Sequence, residues 1–271
     1  MGRFLAAIER SFREGRCDGA GDHDRGAGRD ASGRWRWLVI SHLLLGFSAL
    51  LLWVYFFLLN RTSVTGRPRE IGPNTLFVSN HQSSLDGYLI AVAALFPRCL
   101  VRPWSMPWSL AIAEHFYRSP LRSWLSNHLR CIPVRRGAGD SLALRRLMAV
   151  LPGSVAIFFP EGRRSEDGSI GVARPGVGLL VLHARPRVIP VAIEGMREAV
   201  RFDRFGLRFF RRIAISFGEP IELGDHRQGV PPDSRDAARG GVHSGAREVT
   251  EAIMERVRIR HDTLRRVAGR G

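Results

Sequence analysis

Hydrophobic and polar positions along this chain fall into three regimes. Residues 1 to 36 open with a short amphipathic stretch, Phe4 to Phe12. They continue into a Gly, Asp and Arg mixture from Cys17 to Gly33 with too few apolar side chains to bury, which predicts a basic, partly disordered segment. From Leu38 to Leu59 the run LVISHLLLGFSALLLWVYFFLL carries no formal charge. As a helix it would reach about 33 Å, enough to match a bilayer core. Trp35, Trp37, Trp53 and Tyr55, with Arg34, Arg36 and Arg61, bracket it with residue types enriched near membrane interfaces. Residues 37 to 61 are therefore predicted to form a membrane helix, which either crosses the bilayer or enters one leaflet as part of a helical hairpin.

Beyond residue 62, short apolar runs of β type alternate with helical periodicities. Strands are predicted at Thr75 to Val78, Cys131 to Val134, Val155 to Phe159, Val188 to Ile193 and Arg212 to Phe217. Helices are predicted at 85 to 95, around Leu110 to Phe116, and at 140 to 151 and 175 to 184. This alternation argues for an α/β core over residues 62 to 223, with a mostly parallel central sheet flanked by helices and preceded by the N-terminal membrane helix. Residues 224 to 245 read as an exposed polar loop. In 246 to 271, Val249, Ile253, Met254 and Val257 recur at helical spacing, predicting a C-terminal amphipathic helix on the domain or on the bilayer.

Composition narrows the chemistry. The formal net charge is +16, and all 41 basic residues are arginines. Without lysine there is no Schiff-base lysine, no Walker lysine and no lysine general base. Guanidinium groups suit bidentate binding of phosphate, and a basic domain tethered beside a membrane is drawn to anionic headgroups. No recognition-helix pattern, zinc-finger spacing or aromatic-and-basic ribonucleoprotein motif occurs, so nucleic acid is not an expected partner. Cys17, Cys99 and Cys131 are odd in number and lack ligand spacing. They read as reduced thiols, and no metal site is expected.

The stretch Leu76 to Leu89, LFVSNHQSSLDGYL, concentrates the candidate chemistry. Its apolar start has the character of a buried strand, and Ser83 and Ser84 are suited to cap the helix that follows. His81 then sits in the strand-to-helix turn, with Asp86 just inside the first helical turn. A carboxylate accepting from one imidazole nitrogen fixes the tautomer and leaves the other nitrogen as a base. The five-residue spacing does not put two metal ligands on one helix face. A Ser-His-Asp hydrolase is disfavoured because the chain has no Gly-x-Ser-x-Gly elbow. Further on, the strand ending at Phe159 runs into Pro-Glu-Gly-Arg-Arg-Ser. This delivers Glu161, Arg163 and Arg164 at a strand's carboxyl end, where open α/β sheets bind ligands.

Asn80 to Asp86, with Asn-His followed after four residues by Asp, resembles the first signature block of the glycerolipid acyltransferases, the family that contains lysophosphatidic acid acyltransferase. Three further blocks appear in the family's order. Cys131 to Gly137, CIPVRRG, is similar to the second, with Arg136 at the position of the phosphate-binding arginine and Arg135 where aspartate is frequent. Phe159 to Ser165, FPEGRRS, resembles the third, with Arg163 in place of threonine. Val188 to Val191, VIPV, is similar to the fourth, which borders the acyl-binding region around Pro190.

The resemblance implies that His81, oriented by Asp86, removes a proton from an acceptor hydroxyl, which attacks an acyl thioester without an acyl-enzyme intermediate. It implies substrate-binding roles for Asn80, Arg135, Arg136, Glu161, Gly162 and Arg164. The expected acceptor is lysophosphatidic acid, with glycerol 3-phosphate, another lysophospholipid or a lyso-aminolipid as alternatives. The donor would be an acyl carrier protein or coenzyme A thioester, with no cofactor beyond it. The expected location is a membrane of the bacterial inner-membrane type, with the catalytic domain on its cytoplasmic side. A non-catalytic membrane lipid-binding protein is the alternative of another class, disfavoured by the intact His81, Asp86 and Glu161.

Overall fold

The computed structural model describes residues 31–102, 105–135, 141–200, 206–221 and 235–268. Helix α1 (Ala31–Trp53) runs into a π-helical turn (Val54–Leu58), followed by strand β1 (Arg61–Thr65). The core proceeds through β2 (Thr75–Ser79), α2 (Asp86–Leu95), α3 (Arg98–Val101), β3 (Trp108–Ile112), α4 (Ala113–Phe116), α5 (Pro120–His128) and β4 (Cys131–Val134). It continues with α6 (Ser141–Val150), β5 (Val155–Phe158), α7 (Gly176–Ala184), β6 (Arg187–Glu194), α8 (Met196–Ala199) and β7 (Arg212–Phe217), and ends in the long helix α9 (Arg235–Ala268).

Seven strands form one sheet in the order β1-β7-β6-β2-β5-β3-β4. All neighbouring pairs are parallel except β6 and β7. Strand β2 lies in the middle, with Phe77 opposite Ile157 of β5 and Ile189 of β6. Every residue of β2 is buried, as expected for a strand covered on both faces. The side-chain alternation divides the core accordingly. Phe77, Ile157, Ile189 and Ile193 face a cluster with α1 and α2, whereas Leu76, Val78, Ala156 and Val188 face one with α6, α7 and α9.

Helix α9 lies on the domain. Val249, Ile253, Met254 and Val257 are buried in the second cluster, each contributing about 1.5–3 kcal/mol of gross burial. Its close approach to α7 depends on Gly178. A Cβ there would lie 1.9 Å from the carbonyl oxygen of Ala246. In its place the Gly178 N–H donates to the hydroxyl of Thr250 at 3.1 Å, and that hydroxyl donates to Ala246 at 2.7 Å.

Helix α1 carries the uncharged run. Among the described residues, Val39–Leu58 is the one span long and apolar enough to cross a membrane, and 28% of it is buried. Leu45 and Ala49 join the core, whereas Val39, Leu43, Phe47, Leu50 and Leu51 on the other side are exposed. The lower end is tied into the domain. The Tyr55 hydroxyl donates to Ala199 at 2.7 Å, Asn60 donates to Tyr55 and accepts from Arg211, and Thr62 donates to Phe56.

Several sequence expectations need correction. Leu110 to Ile112, expected as helix, belong to β3, and the helix is confined to α4. An apolar triplet without alternation suits a strand buried on both faces as well as a buried helix, and here pairing with β4 and β5 decides. Residues 235–245, expected as loop, are the first turns of α9. Strand β1 and helix α5 had no counterpart in the sequence reading.

Candidate active site

The site forms where β2, β5 and β6 present their carboxyl ends side by side. His81 follows β2, Glu161 follows β5, and Glu194 ends β6. The chain turns from β2 toward β3 on one side and later returns to place β6 on the other, so the carboxyl end of β2 is a switch point of the kind at which open α/β sheets bind ligands.

Nδ1 of His81 lies 3.0 Å from Oδ2 of Asp86. The carboxylate is fully buried, and the imidazole is 21% exposed. Asp86 also accepts from the Gln82 N–H at 2.5 Å and the Ser83 N–H at 2.8 Å through Oδ2, and from the Ser83 hydroxyl at 2.5 Å through Oδ1. The expectation that Ser83 and Ser84 cap the helix holds in part, since the Ser83 hydroxyl oxygen accepts from the Leu85 N–H at 3.2 Å just ahead of α2. No side chain caps α2 from position 85, and Asp86 reaches back to satisfy the turn's own donors. With Nδ1 donating to Asp86, Nε2 is the nitrogen left to act. The opposite support is Phe159, whose ring stacks on the imidazole at 4.1 Å between centroids and 17° between planes.

Glu161 serves the same turn from behind. Its Oε1 accepts from the His81 backbone N–H at 3.1 Å, and its Oε2 accepts from the Gly171 N–H at 2.9 Å. Burial pushes its carboxyl above the ordinary value, against the pull of those two backbone bonds. The carboxylate thus holds backbone on both sides, whereas the resemblance implies a substrate-binding role for it. Asn80 is likewise framework. Its amide donates to the carbonyl of Ile193 and accepts from the same residue's N–H, both at 2.9 Å, extending the pairing of β2 with β6 past the end of β2.

Of the remaining expected residues, Gly162 and Arg164 stand on the loop after β5, which returns to His81 through Ser165. Gly162 is exposed with φ +65°, a conformation that favours glycine, and a Cβ there would lie 3.3 Å from Nε of Arg174. Arg164 is half-buried and immediately precedes Ser165, whose N–H donates to the His81 carbonyl at 2.7 Å. Beyond it, Asp167 accepts from Ser165 and from the N–H and hydroxyl of Ser169, bonds that pull its carboxyl down to about 2. Arg135 is exposed just past β4, and Arg136 lies outside the described residues. Pro190 is buried in β6 opposite Val78, and its carbonyl accepts from Gly218. Sequence reasoning missed Phe159, Gly171 and Ser165. Phe159 and Ser165 stand within the block FPEGRRS, so their proximity to Glu161 was the available signal, whereas Gly171 had none.

A His-Asp pair at a switch point of the sheet, followed by an arginine-bearing loop, suits acyl transfer, and residues 61–194 match the family model described as Acyltransferase. Residues 61–194 thus form an acyltransferase domain similar to those of the glycerolipid acyltransferases. It is 25% identical over 170 residues to 1-acyl-sn-glycerol-3-phosphate acyltransferase LPAT1, chloroplastic, of Arabidopsis thaliana, a match covering 61% of this chain and 44% of that protein. A second relative is N-acylphosphatidylethanolamine synthase of Arabidopsis thaliana, 28% identical over 239 residues, with 74% of this chain and 81% of that protein covered. The chain therefore spans less than half of the first relative and most of the second. The crystal structure of the 1-acyl-sn-glycerophosphate (LPA) acyltransferase PlsC from Thermotoga maritima shares the fold. Its TM-score is 0.51 at 20% identity, and the match covers 92% of this chain and 88% of that one.

Proposed function

We propose that this chain is a membrane-attached O-acyltransferase that moves a fatty acyl group from a thioester of coenzyme A or acyl carrier protein to the hydroxyl of lysophosphatidic acid, giving phosphatidic acid. The observation that carries the reading is the 3.0 Å contact of His81 Nδ1 with a fully buried Asp86 at the carboxyl end of the central strand. Nε2 of His81 takes the proton from the acceptor hydroxyl as its oxygen adds to the thioester carbonyl. The tetrahedral adduct then collapses with cleavage of the carbon–sulfur bond, and the thiol leaves with that proton. Asp86 stabilises the imidazolium between these steps, and Phe159 keeps the ring in plane. General-base assistance supplies about 10²- to 10⁴-fold, and positioning of the two substrates supplies much of the rest. Arg164, with Arg135 and Arg136, is assigned to the acceptor phosphate.

Attachment to the membrane is assigned to α1. Its outer residues Leu43, Phe47 and Leu51 are exposed, and the neighbouring α3 and α5 add exposed Val101, Leu121 and Trp124. A second reading is favoured by the match that spans most of both chains, that to N-acylphosphatidylethanolamine synthase. Here the acceptor is the amine of a phosphatidylethanolamine, and the product is an amide. Incubation of purified protein with a long-chain acyl thioester and each acceptor, with products identified by mass, separates the two. His81→Ala is expected to lower kcat by about 10²- to 10⁴-fold. A variant with wild-type turnover would refute the assignment of the base.

A further inference from the structure

The turn that carries His81 is braced from a distant part of the chain. His261 is buried on α9, on a mainly apolar face that also carries Val249, Ile253, Met254, Val257 and Leu264. An imidazole on such a face is costly to bury without a polar partner. Its Nε2 lies 2.7 Å from Oε2 of Glu194, an ion-pair distance though off the ideal hydrogen-bond direction. The same oxygen accepts from the side-chain amide of Gln82 at 3.3 Å, and the amide oxygen of Gln82 accepts from the Met196 N–H at 3.1 Å. The backbone N–H of Gln82 is in turn one of the donors that hold Oδ2 of Asp86, the oxygen in contact with His81. Burial alone would raise the Glu194 carboxyl. The contact with His261, together with the charges of His261 and Arg265, outweighs burial and holds it below its ordinary value.

We infer that His261 is a positioning residue for acyl transfer. From the C-terminal helix it fixes Glu194, Glu194 fixes the Gln82 side chain, and Gln82 sets the turn on which Asp86 and His81 meet. The inference rests on the reading of His81 as the base. It assigns α9 a part in the chemistry that acts through Glu194 and Gln82.

A packing role predicts otherwise. Were His261 only a filler of the interface between α9 and the sheet, an apolar residue of similar size would leave the folded protein fully active. The test uses the full chain with lysophosphatidate and a long-chain acyl-CoA, at a temperature where circular dichroism shows each variant folded. His261→Leu is expected to lower kcat about tenfold with both KM values within about twofold, because a small displacement of a catalytic group acts on turnover. His261→Gln, which keeps a donor toward Glu194, should return to within about threefold of wild type. Gln82→Ala should resemble His261→Leu, and the double variant should be no slower than about twofold below the slower single, since both changes break one chain of contacts. Wild-type kcat in His261→Leu, a change in KM alone, no recovery in His261→Gln, or losses that multiply in the double variant would each overturn the inference. His81→Ala run alongside separates the two levels. If it is inactive while His261→Leu is unaffected, only the positioning role falls; if it is fully active, the base assignment falls and takes this inference with it.

Discussion

Replacing Asp86 separates what its carboxylate does for the turn from what it does for His81. Oδ2 accepts from Gln82, Ser83 and His81, while Oδ1 accepts from the Ser83 hydroxyl. In Asp86→Asn the side-chain oxygen can occupy the Oδ2 position and keep its three donors, and the amide NH₂ then meets the Ser83 oxygen, which has a lone pair to accept with. What is lost is mainly charge. Hydrogen bonds to a neutral acceptor are about half as strong as those to an ion, so stability should fall by only about 1–2 kcal/mol. Turnover should fall by about 10²- to 10⁴-fold, because a neutral amide does little to stabilise the imidazolium formed when Nε2 takes the proton. Asp86→Ala should behave differently. It leaves the N–H groups of Gln82 and Ser83 and the Ser83 hydroxyl without this acceptor in a buried place. At about 1–3 kcal/mol each that is about 3–9 kcal/mol, comparable with the whole stability of an ordinary domain. Thermal unfolding by circular dichroism and thiol release from the acyl donor measure the two effects. An Asp86→Asn protein with wild-type turnover, or an Asp86→Ala protein as stable as wild type, would refute the reasoning.

Two further outcomes follow from other contacts. Because Glu161 holds its proton more tightly folded than unfolded, the native state binds more protons between the ordinary value of 4.5 and the raised folded value, and stability falls as pH rises through that window. Glu161→Gln removes this slope, so the stability advantage of wild type over the variant should shrink from acid toward neutral pH. A difference in Tm that stays flat across the window would contradict the burial argument. Gly178→Ala should cost about 1–3 kcal/mol by forcing α7 and α9 apart, since the new methyl would overlap the Ala246 carbonyl. Unchanged Tm would show that α9 moves aside freely.

Much of the architecture was legible because buried strands and amphipathic helices announce themselves by period. Strands β2, β4, β5, β6 and β7 and helices α2, α6 and α7 lie where the pattern put them, within a residue or two. Strand β1 was not legible. Arg61–Thr65 is a polar edge strand whose partner, β7, lies some 150 positions along the chain, and nothing local distinguishes it from a loop. In the site, the proximity of His81 and Asp86 was readable from spacing within a single turn. The duties of Glu161 and Asn80 were not. Each side chain bonds to backbone from another part of the chain, and residue type alone does not separate a carboxylate that meets a ligand from one that meets an N–H. The contact between Glu194 and His261 was hidden for the same reason, since it depends on where α9 crosses the end of β6.

The union of α1 with the sheet has a mechanical corollary. The apolar helix passes through its π turn into β1 with only Leu59 and Asn60 between, and the side chains of Tyr55, Asn60 and Thr62 bind both sides of the junction. No slack remains there for a swivel. A surface that held Leu43 and Phe47 would therefore set the roll and pitch of the whole sheet, as a keel sets the attitude of a hull, and with them the attitude of the turn that carries His81.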